Sequence, residues 1–325
     1  MGGETSITAK KAEIIGKNIF EEFRWESIGP FNHNWTCEDE KLHNVKTHPT
    51  DAVYYYDEPY SKTRTYINID FKSYAAPSIK SGEIKASLHS LSNSITCAEQ
   101  SKEWQGQHVH SENNFEICGL LFVYNHTGDY DDSKFHDALE TVKVEKLGIP
   151  SRSKIVVLGP SQINWLNNVQ LDIKRARGAT PPELPSRDKC KYLYPNLIMK
   201  KNIQQEKAVA ATLEMLTGPW LIVNFDDQNG SQGIVIYYNR PGNKEEEFVH
   251  LLDYLMYFQL VNRKTKIFIK TYKADKLAPV VFQKAKQRYV DAFGSAELQV
   301  LLNAIDFSTM INMQTSFSDV ELGMK

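Results

Sequence analysis

The residues best suited to chemistry are two aspartates and a lysine in one short stretch. Two runs rich in Val, Ile, Tyr and Thr, residues 52–56 and 64–71, predict a β-hairpin. With the turn centred between residues 60 and 61, antiparallel partners have numbers that sum to 121. Asp51 then lies opposite Asp70, with the two Cβ atoms about 5 Å apart.

Two carboxylates at that distance repel each other and raise a carboxyl pKa unless a cation lies between them. A divalent metal ion held only by oxygen atoms meets that need, and Mg²⁺ or Mn²⁺ suits such ligands. Lys72 shares a strand face with Asp70, because alternate residues of a strand point the same way. The alternative is an ordinary strand end, in which Asp51 is a cap and Asp70 and Lys72 form a solvated ion pair.

A helix is expected before the hairpin, over residues 6–25. Its apolar stripe at helical spacing consists of Ala12, Ile15, Ile19 and Phe23. At 100° per residue, Glu22 lies at the margin of this stripe and Glu21 lies almost opposite it. A carboxylate beside a buried face needs a partner. Glu22 is therefore the helical acid predicted near the metal, with Glu21 as the alternative, unless both are surface charges.

Helices and strands alternate after the hairpin and predict an α/β fold with a mixed sheet. Residues 29–49 are loop-like with room for one short strand. The run 115–125 is apolar on both faces, which predicts a buried central strand. The other predicted elements are helices over 79–105, 131–147 and 162–177 and a strand over 154–158.

Residues 178–190 are predicted to be a linker, because three prolines and a glycine within nine residues cannot continue a helix or pair inside a sheet. They divide a first domain, 1–177, from an α+β domain, 191–325. The predicted strands of the second domain are 192–200, 220–225, 233–239 and 265–272, with a tight turn at Asn229-Gly230. Its predicted helices are 203–216, 244–261, 275–293 and 295–307. This order suggests a ferredoxin-like split unit with a helical extension, or an extension of the first sheet.

Composition excludes several classes of protein. The net charge of −2 means that an acidic partner has to be met by a local patch. The four cysteines are widely separated, with no CxxC and no histidine at zinc-finger spacing, so they are interpreted as reduced thiols of the core. No run approaches the roughly 20 apolar residues of a membrane span. The chain is expected to be soluble and cytoplasmic.

A basic segment far along the chain is a candidate surface for DNA. From residue 263 to residue 288 there are nine lysines and arginines and one acid, Asp275, a net charge of +8. Such a density favours contact with phosphates. The alternative is a solvated helix face. The basic residues are Arg263, Lys264, Lys266, Lys270, Lys273, Lys276, Lys284, Lys286 and Arg288.

The motifs Pro49-Thr50-Asp51 and Asp70-Phe71-Lys72, after a helix with an acid and before a helix and a buried strand, resemble the PD-(D/E)xK nuclease superfamily. The resemblance covers about residues 6–125. It departs from the family pattern at Thr50, which separates the proline from the aspartate. The phrases KTHPTDAVYYYDEPYS, TYINIDFKSYA and GLLFVYNHTGDYD also resemble nuclease-fold proteins of prokaryotic anti-phage and anti-plasmid defence.

The resemblance implies a restriction-endonuclease-like mixed sheet flanked by helices, and a site that hydrolyses phosphodiester bonds. Asp51, Asp70 and the Phe71 carbonyl are expected to hold Mg²⁺ or Mn²⁺, and Glu22 to join them directly or through water. Lys72 is expected to align the attacking water or to stabilise developing charge.

Two hypotheses follow from the sequence. The first is a metal-dependent DNA nuclease in defence against phage or plasmids, acting on double-stranded DNA as a homodimer or with a partner subunit. The second is a catalytically weak nuclease fold that serves as the DNA-binding or scaffold subunit of a defence complex. Intact Asp51, Asp70 and Lys72 favour the first hypothesis, and the open identity of the helical acid leaves room for the second.

Overall fold

The structure is a computed structural model. It describes residues 2–110, 114–196, 204–226, 232–294, 296–310, 314 and 316–324. The chain divides into two compact units, residues 1–167 with 314–325 and residues 168–313. Within the described residues, no helix combines the length and the apolar character needed to cross a membrane.

The first unit is built on a five-stranded mixed sheet. The described strands of the first unit are β1 (Glu26–Ser27), β2 (His33–Thr36), β3 (Thr47–Thr50), β4 (Ala52–Asp57), β5 (Arg64–Tyr74), β6 (Phe115–Asn125) and β7 (Ile155–Leu158). The main sheet has the order β1-β4-β5-β6-β7, while β2 and β3 form a separate antiparallel pair. Strand β4 is antiparallel to β1 and β5, whereas β5, β6 and β7 are parallel.

The helices of the first unit are α1 (Gly2–Glu22), α2 (Glu40–His43), α3 (Ser81–Ala98), α4 (Lys102–His108), α5 (Asp132–Glu140) and the first part of α6 (Pro160–Gly178), which crosses the division between the units. Helices α1 and α3 pack against strands β5 and β6 of the main sheet. The predicted stripe of α1 is buried, from Ala12 to Phe23. Strand β6 is buried over nearly its whole length, as its apolar run predicted. The α/β class with a mixed sheet flanked by helices is therefore confirmed.

The second unit contains a six-stranded mixed sheet. Its strands are β8 (Cys190–Asn196), β9 (Gln204–Ala208), β10 (Trp220–Asp226), β11 (Gln232–Tyr238), β12 (Thr265–Thr271) and β13 (Asp306–Thr309), in the order β13-β12-β11-β10-β8-β9. Its helices are α7 (Leu213–Thr217), α8 (Glu245–Tyr257), α9 (Ala278–Phe293) and α10 (Ala296–Asn303). An apolar core packs between the sheet and α8, α9 and α10.

The ferredoxin-like topology predicted for this unit is wrong. In a split unit, the two strands joined by a helix are separated by another strand. Here β11 and β12 are joined by α8 and pair directly with each other in parallel. The helix predicted over 203–216 is also wrong, because its first part forms β9 and pairs with β8. The predicted Asn229-Gly230 turn and the end of the predicted strand 192–200 lie outside the described residues.

Candidate active site

The β4–β5 hairpin has the register that the sequence predicted. Ala52 pairs with Ile69 and Asp57 with Arg64, and each pair of numbers sums to 121. Asp51 is the residue before Ala52, and Asp70 is the residue after Ile69. Asp51 also directly follows β3, so it stands where the small β2–β3 sheet joins the main sheet.

Asp51 is held by the backbone of β5. Its Oδ2 atom accepts a hydrogen bond from the Phe71 N–H at 2.7 Å. Burial, and next the negative charge of Asp70, raise the pKa of Asp51 to about 6, although the Phe71 N–H and the charge of Lys72 oppose the rise. The two carboxylates are thus close enough to repel each other, as the hairpin geometry predicted.

Lys72 pairs with Asp70, with Nζ and Oδ1 2.5 Å apart. Burial acts against the charge of Lys72, but the carboxylates of Asp70 and Asp51 outweigh burial, so the pKa of Lys72 is raised. A permanent cation therefore lies beside both acids. Both members of the pair are partly buried, which separates this arrangement from the solvated ion pair considered as its alternative.

A small cavity lies against the two aspartates. It has a volume of about 20 Å³ and is lined by Pro49, Asp51, Asn68, Ile69, Asp70, Ser90, Leu91 and Ser94. A volume of that size admits about one water molecule or one ion. Asn68 donates to Ser94 of α3 at 2.8 Å, which fixes a polar wall. Two carboxylates that repel each other and oxygen-bearing walls fit a hard divalent cation.

Phe71 anchors this end of β5 on the opposite face. Its ring packs against Phe20 and Phe122, with centroids 6.4 and 5.3 Å away. Helix α1 approaches this ring closely at Gly16, where an added Cβ would lie 2.4 Å from a Phe71 ring carbon. The absence of a side chain at Gly16 therefore lets α1 pack closely on the face of β5 opposite Asp70 and Lys72.

Another acid of α1, Glu13, acts on Asp51. Its charge is the smallest of the effects that raise the pKa of Asp51, after burial and the charge of Asp70. Glu13 and Glu22 are nine residues apart, and at 100° per residue they lie on opposite sides of α1. Glu22 is 5% exposed, and both Glu21 and Glu13 act on Tyr54. The sequence pattern did not single out Glu13, which is a candidate for the helical acid beside Glu22 and Glu21.

The basic segment of the second unit is less open than its net charge suggested. Four of its nine cations are paired or buried: Arg263 with Glu297, Lys270 with Asp172, Arg288 with Glu245, and Lys286 against the Phe282 ring. Lys264, Lys266, Lys273, Lys276 and Lys284 remain exposed. Arg263, Lys264 and Lys266 line a cavity of about 760 Å³. DNA contact by this segment stays a prediction, and fewer than the nine predicted residues are available to make it.

Comparison with known families agrees with the geometry of the first unit. Residues 1–162 match the sequence model of the GAPS4 protein PD-(D/E)XK nuclease domain. The matched range includes Glu13, Asp51, Asp70 and Lys72. No curated protein and no solved structure matches the chain. The resemblance to the PD-(D/E)xK superfamily is thereby confirmed.

Proposed function

Because residues 1–162 belong to the PD-(D/E)XK nuclease domain family of GAPS4 proteins, which is associated with defence, we propose that this protein is a metal-dependent nuclease that hydrolyses DNA. The observation that carries the proposal is the position of Asp51 and Asp70 on one small cavity, with Lys72 paired to Asp70. We propose Asp51, Asp70 and the Phe71 carbonyl as the metal ligands, and Glu13 in place of Glu22 as the helical acid.

The two aspartates supply the negative charge that such a site requires. With a pKa of about 6, Asp51 is ionised at neutral pH and offers its carboxylate to a cation. The Phe71 N–H holds one oxygen of Asp51 and so fixes the orientation of the carboxylate. A bound Mg²⁺ or Mn²⁺ supplies Lewis acidity that acidifies the attacking water and offsets the charge of the phosphate.

Lys72 supplies a second positive charge beside the reacting phosphate. An ammonium group has three N–H donors, and the pair with Asp70 occupies one of them. The remaining donors orient the attacking water and stabilise charge on a phosphate oxygen in the transition state. The raised pKa keeps this group protonated, so Lys72 acts as an electrostatic and orienting group and does not act as a general base.

The test is a cleavage assay on linear and circular duplex DNA with Mg²⁺ or Mn²⁺. Wild type is compared with Asp70→Asn and Lys72→Met, and Lys62→Met serves as the matched control because Lys62 is exposed in the turn of the same hairpin. Cleavage by wild type and Lys62→Met, with loss in the two site variants, supports the proposal. Equal cleavage in all four proteins would show that these residues do not form the site.

DNA binding without cleavage in every metal tested would instead support the scaffold hypothesis, with a partner subunit that cuts. The same experiment with RNA distinguishes the proposed substrate from the other nucleic acid. The defence role is tested by phage plating on a bacterial host that expresses the protein. If the Asp70→Asn variant still protects the host from phage, the defence activity does not depend on this site.

A further inference from the structure

A second group of metal-binding residue types lies in the first unit, away from the hard-oxygen site. Cys37, His43, His48 and Cys97 each contribute one ligand atom, and these four atoms lie within 4.8 Å of one another. Cys37 follows β2, His43 ends α2, His48 is in β3 and Cys97 is in α3. Cys37 and Cys97 are buried and free of disulfides, as the sequence predicted, and the fold places them beside two histidines.

Three of the separations are close to the edges of a tetrahedron around one metal ion, and His48 completes the group within 4.8 Å. The two Sγ atoms are 3.7 Å apart, and His43 Nδ1 lies 3.4 Å from the Cys37 sulfur and 3.2 Å from the Cys97 sulfur. Bond lengths of about 2.3 Å to sulfur and about 2.0 Å to nitrogen give tetrahedral edges of roughly 3.8 Å for S–S and roughly 3.5 Å for S–N.

Three of the four residues are buried, and one ring nitrogen among them lacks a hydrogen-bond partner within the described residues. Cys37, Cys97 and His48 are 5%, 3% and 2% exposed. His48 Nε2 is buried and has no hydrogen-bond partner among the described residues. Such an atom is costly in an apolar interior, and most have a partner such as a protein group, an ordered water or a metal. The ring of Trp35 lies 5.1 Å from the His48 ring and helps to orient it.

The backbone that follows Cys37 reaches the Cys97 side chain. Glu38 and Asp39 each make a backbone hydrogen bond to Cys97. Hydrogen bonds of this kind from outside the ligand set orient metal ligands and tune them. Two thiolates and two imidazoles form a soft donor set, which selects Zn²⁺ over the Mg²⁺ or Mn²⁺ expected at Asp51 and Asp70.

We propose that Cys37, His43, His48 and Cys97 bind one structural Zn²⁺ ion. Four protein ligands complete the tetrahedron, so no position remains open for a substrate or for water. The site fastens the segment from β2 to β3 onto α3. None of the four residues of α2 is buried, and Leu42 and Val45 are exposed, so apolar packing does little to hold this segment.

The proposed zinc site also bears on the position of Asp51, since His48 and Asp51 are three residues apart around the end of β3. Anchoring β3 to α3 fixes the backbone that leads into the carboxylate. The proposal does not depend on the nuclease activity, however, because metal binding is measured directly. Asp70→Asn is expected to bind zinc as the wild type does.

The test is the metal content of the full-length protein, purified without a histidine tag and measured by mass spectrometry of the elements. About one zinc per chain is expected for wild type. Cys97→Ala and His48→Ala are expected to retain less than a tenth of that zinc. Cys118→Ala is the matched control, because Cys118 is a buried cysteine of the same unit outside the cluster, and it is expected to keep the metal.

A spectroscopic measurement keeps the proposal testable if the ligand variants fail to fold. Cobalt(II) added to the zinc-free wild type should give the visible bands of tetrahedral coordination and a thiolate charge-transfer band. His43→Cys replaces the least buried ligand with another soft one, so it should still bind cobalt and strengthen the charge-transfer band. Wild type without zinc and without these cobalt bands would overturn the proposal, as would a Cys37–Cys97 disulfide in the purified protein.

Discussion

His48 and Asp51 are three residues apart, yet they belong to sites of opposite character. The site of Asp51 has carboxylate oxygens, a partly buried lysine and a cavity of about 20 Å³. The site of His48 has sulfur and imidazole nitrogen, deep burial and four ligand atoms within 4.8 Å. An open site of hard ligands is suited to a metal that meets substrate, and a closed site of soft ligands to a metal that holds structure. One strand thus connects a proposed catalytic site to a proposed structural site.

Asp70→Asn is expected to give the largest difference in effect between the two sites. Removing one of the two carboxylates and the partner of Lys72 should lower the rate of DNA cleavage by about 1,000-fold or more. Zinc content should stay close to wild type. Cleavage rate and zinc content are measured on the same preparation, and a variant that loses both would show that the two sites are not independent.

Loss of the zinc ion from the proposed cysteine–histidine site should mainly lower the stability of the protein. Structural zinc contributes directly to folding, so Cys97→Ala should lower the free energy of unfolding by about 3–5 kcal/mol. Urea unfolding at neutral pH measures the change, and Cys118→Ala controls for the loss of a buried sulfur. Mild EDTA treatment followed by added Mg²⁺ should restore cleavage fully while the zinc stays bound. A protein that needs zinc to recover its cleavage would contradict this division of roles.

Asp51→Asn should stabilise the protein when no Mg²⁺ or Mn²⁺ is present. The pKa of Asp51 is about 6 in the folded state, above its ordinary value. The folded state is therefore favoured below the ordinary pKa, and this stability is lost as pH rises through about 6. Above that pH the asparagine variant should gain about 2–3 kcal/mol over wild type, and at pH 4 it should gain little. Urea unfolding at both pH values tests the sign, and a gain that is independent of pH would refute the raised pKa of Asp51.

Glu13→Gln should reduce cleavage about tenfold, because one charge beside the proposed metal ligands is lost. Glu22→Gln is the control on the same helix and should leave the cleavage rate per folded molecule within about twofold of wild type. Initial rates over a Mg²⁺ titration measure both variants, and the apparent affinity for Mg²⁺ should weaken in Glu13→Gln alone. The reverse ranking would restore Glu22 as the helical acid.

The smallest expected effect lies in the second unit. Lys264→Glu with Lys266→Glu should weaken DNA binding and reduce the slope of log affinity against log salt by about 2, since each phosphate contact contributes about 0.9. Asp275 and the buried Lys286 are left unchanged. Fluorescence anisotropy across a salt series measures the slope, and an unchanged slope would exclude these two lysines from the DNA surface.

Local patterns in the sequence predicted the hairpin and the central strand, because both depend on alternation within a few residues. The identity of the helical acid stays a prediction. Periodicity identifies the buried face of α1 but not which of its turns meets the sheet, and Glu13 and Glu22 are about 13 Å apart along the axis at 1.5 Å per residue. Residues 204–208 were predicted to be helical, but pairing with β8 supplies backbone hydrogen bonds that override the local preference.

The sequence by itself determined the register that aligns Asp51 with Asp70, because the turn and the two-residue period of the strands define it over about twenty residues. Only the tertiary structure brought Cys97 to Cys37, since 60 residues separate them and no spacing motif joins them. The helix, hairpin and central strand have to pack before those side chains meet. A contact within a hairpin can be deduced from the chain, whereas a metal site assembled from a loop, a strand and a distant helix depends on the packing of the whole unit.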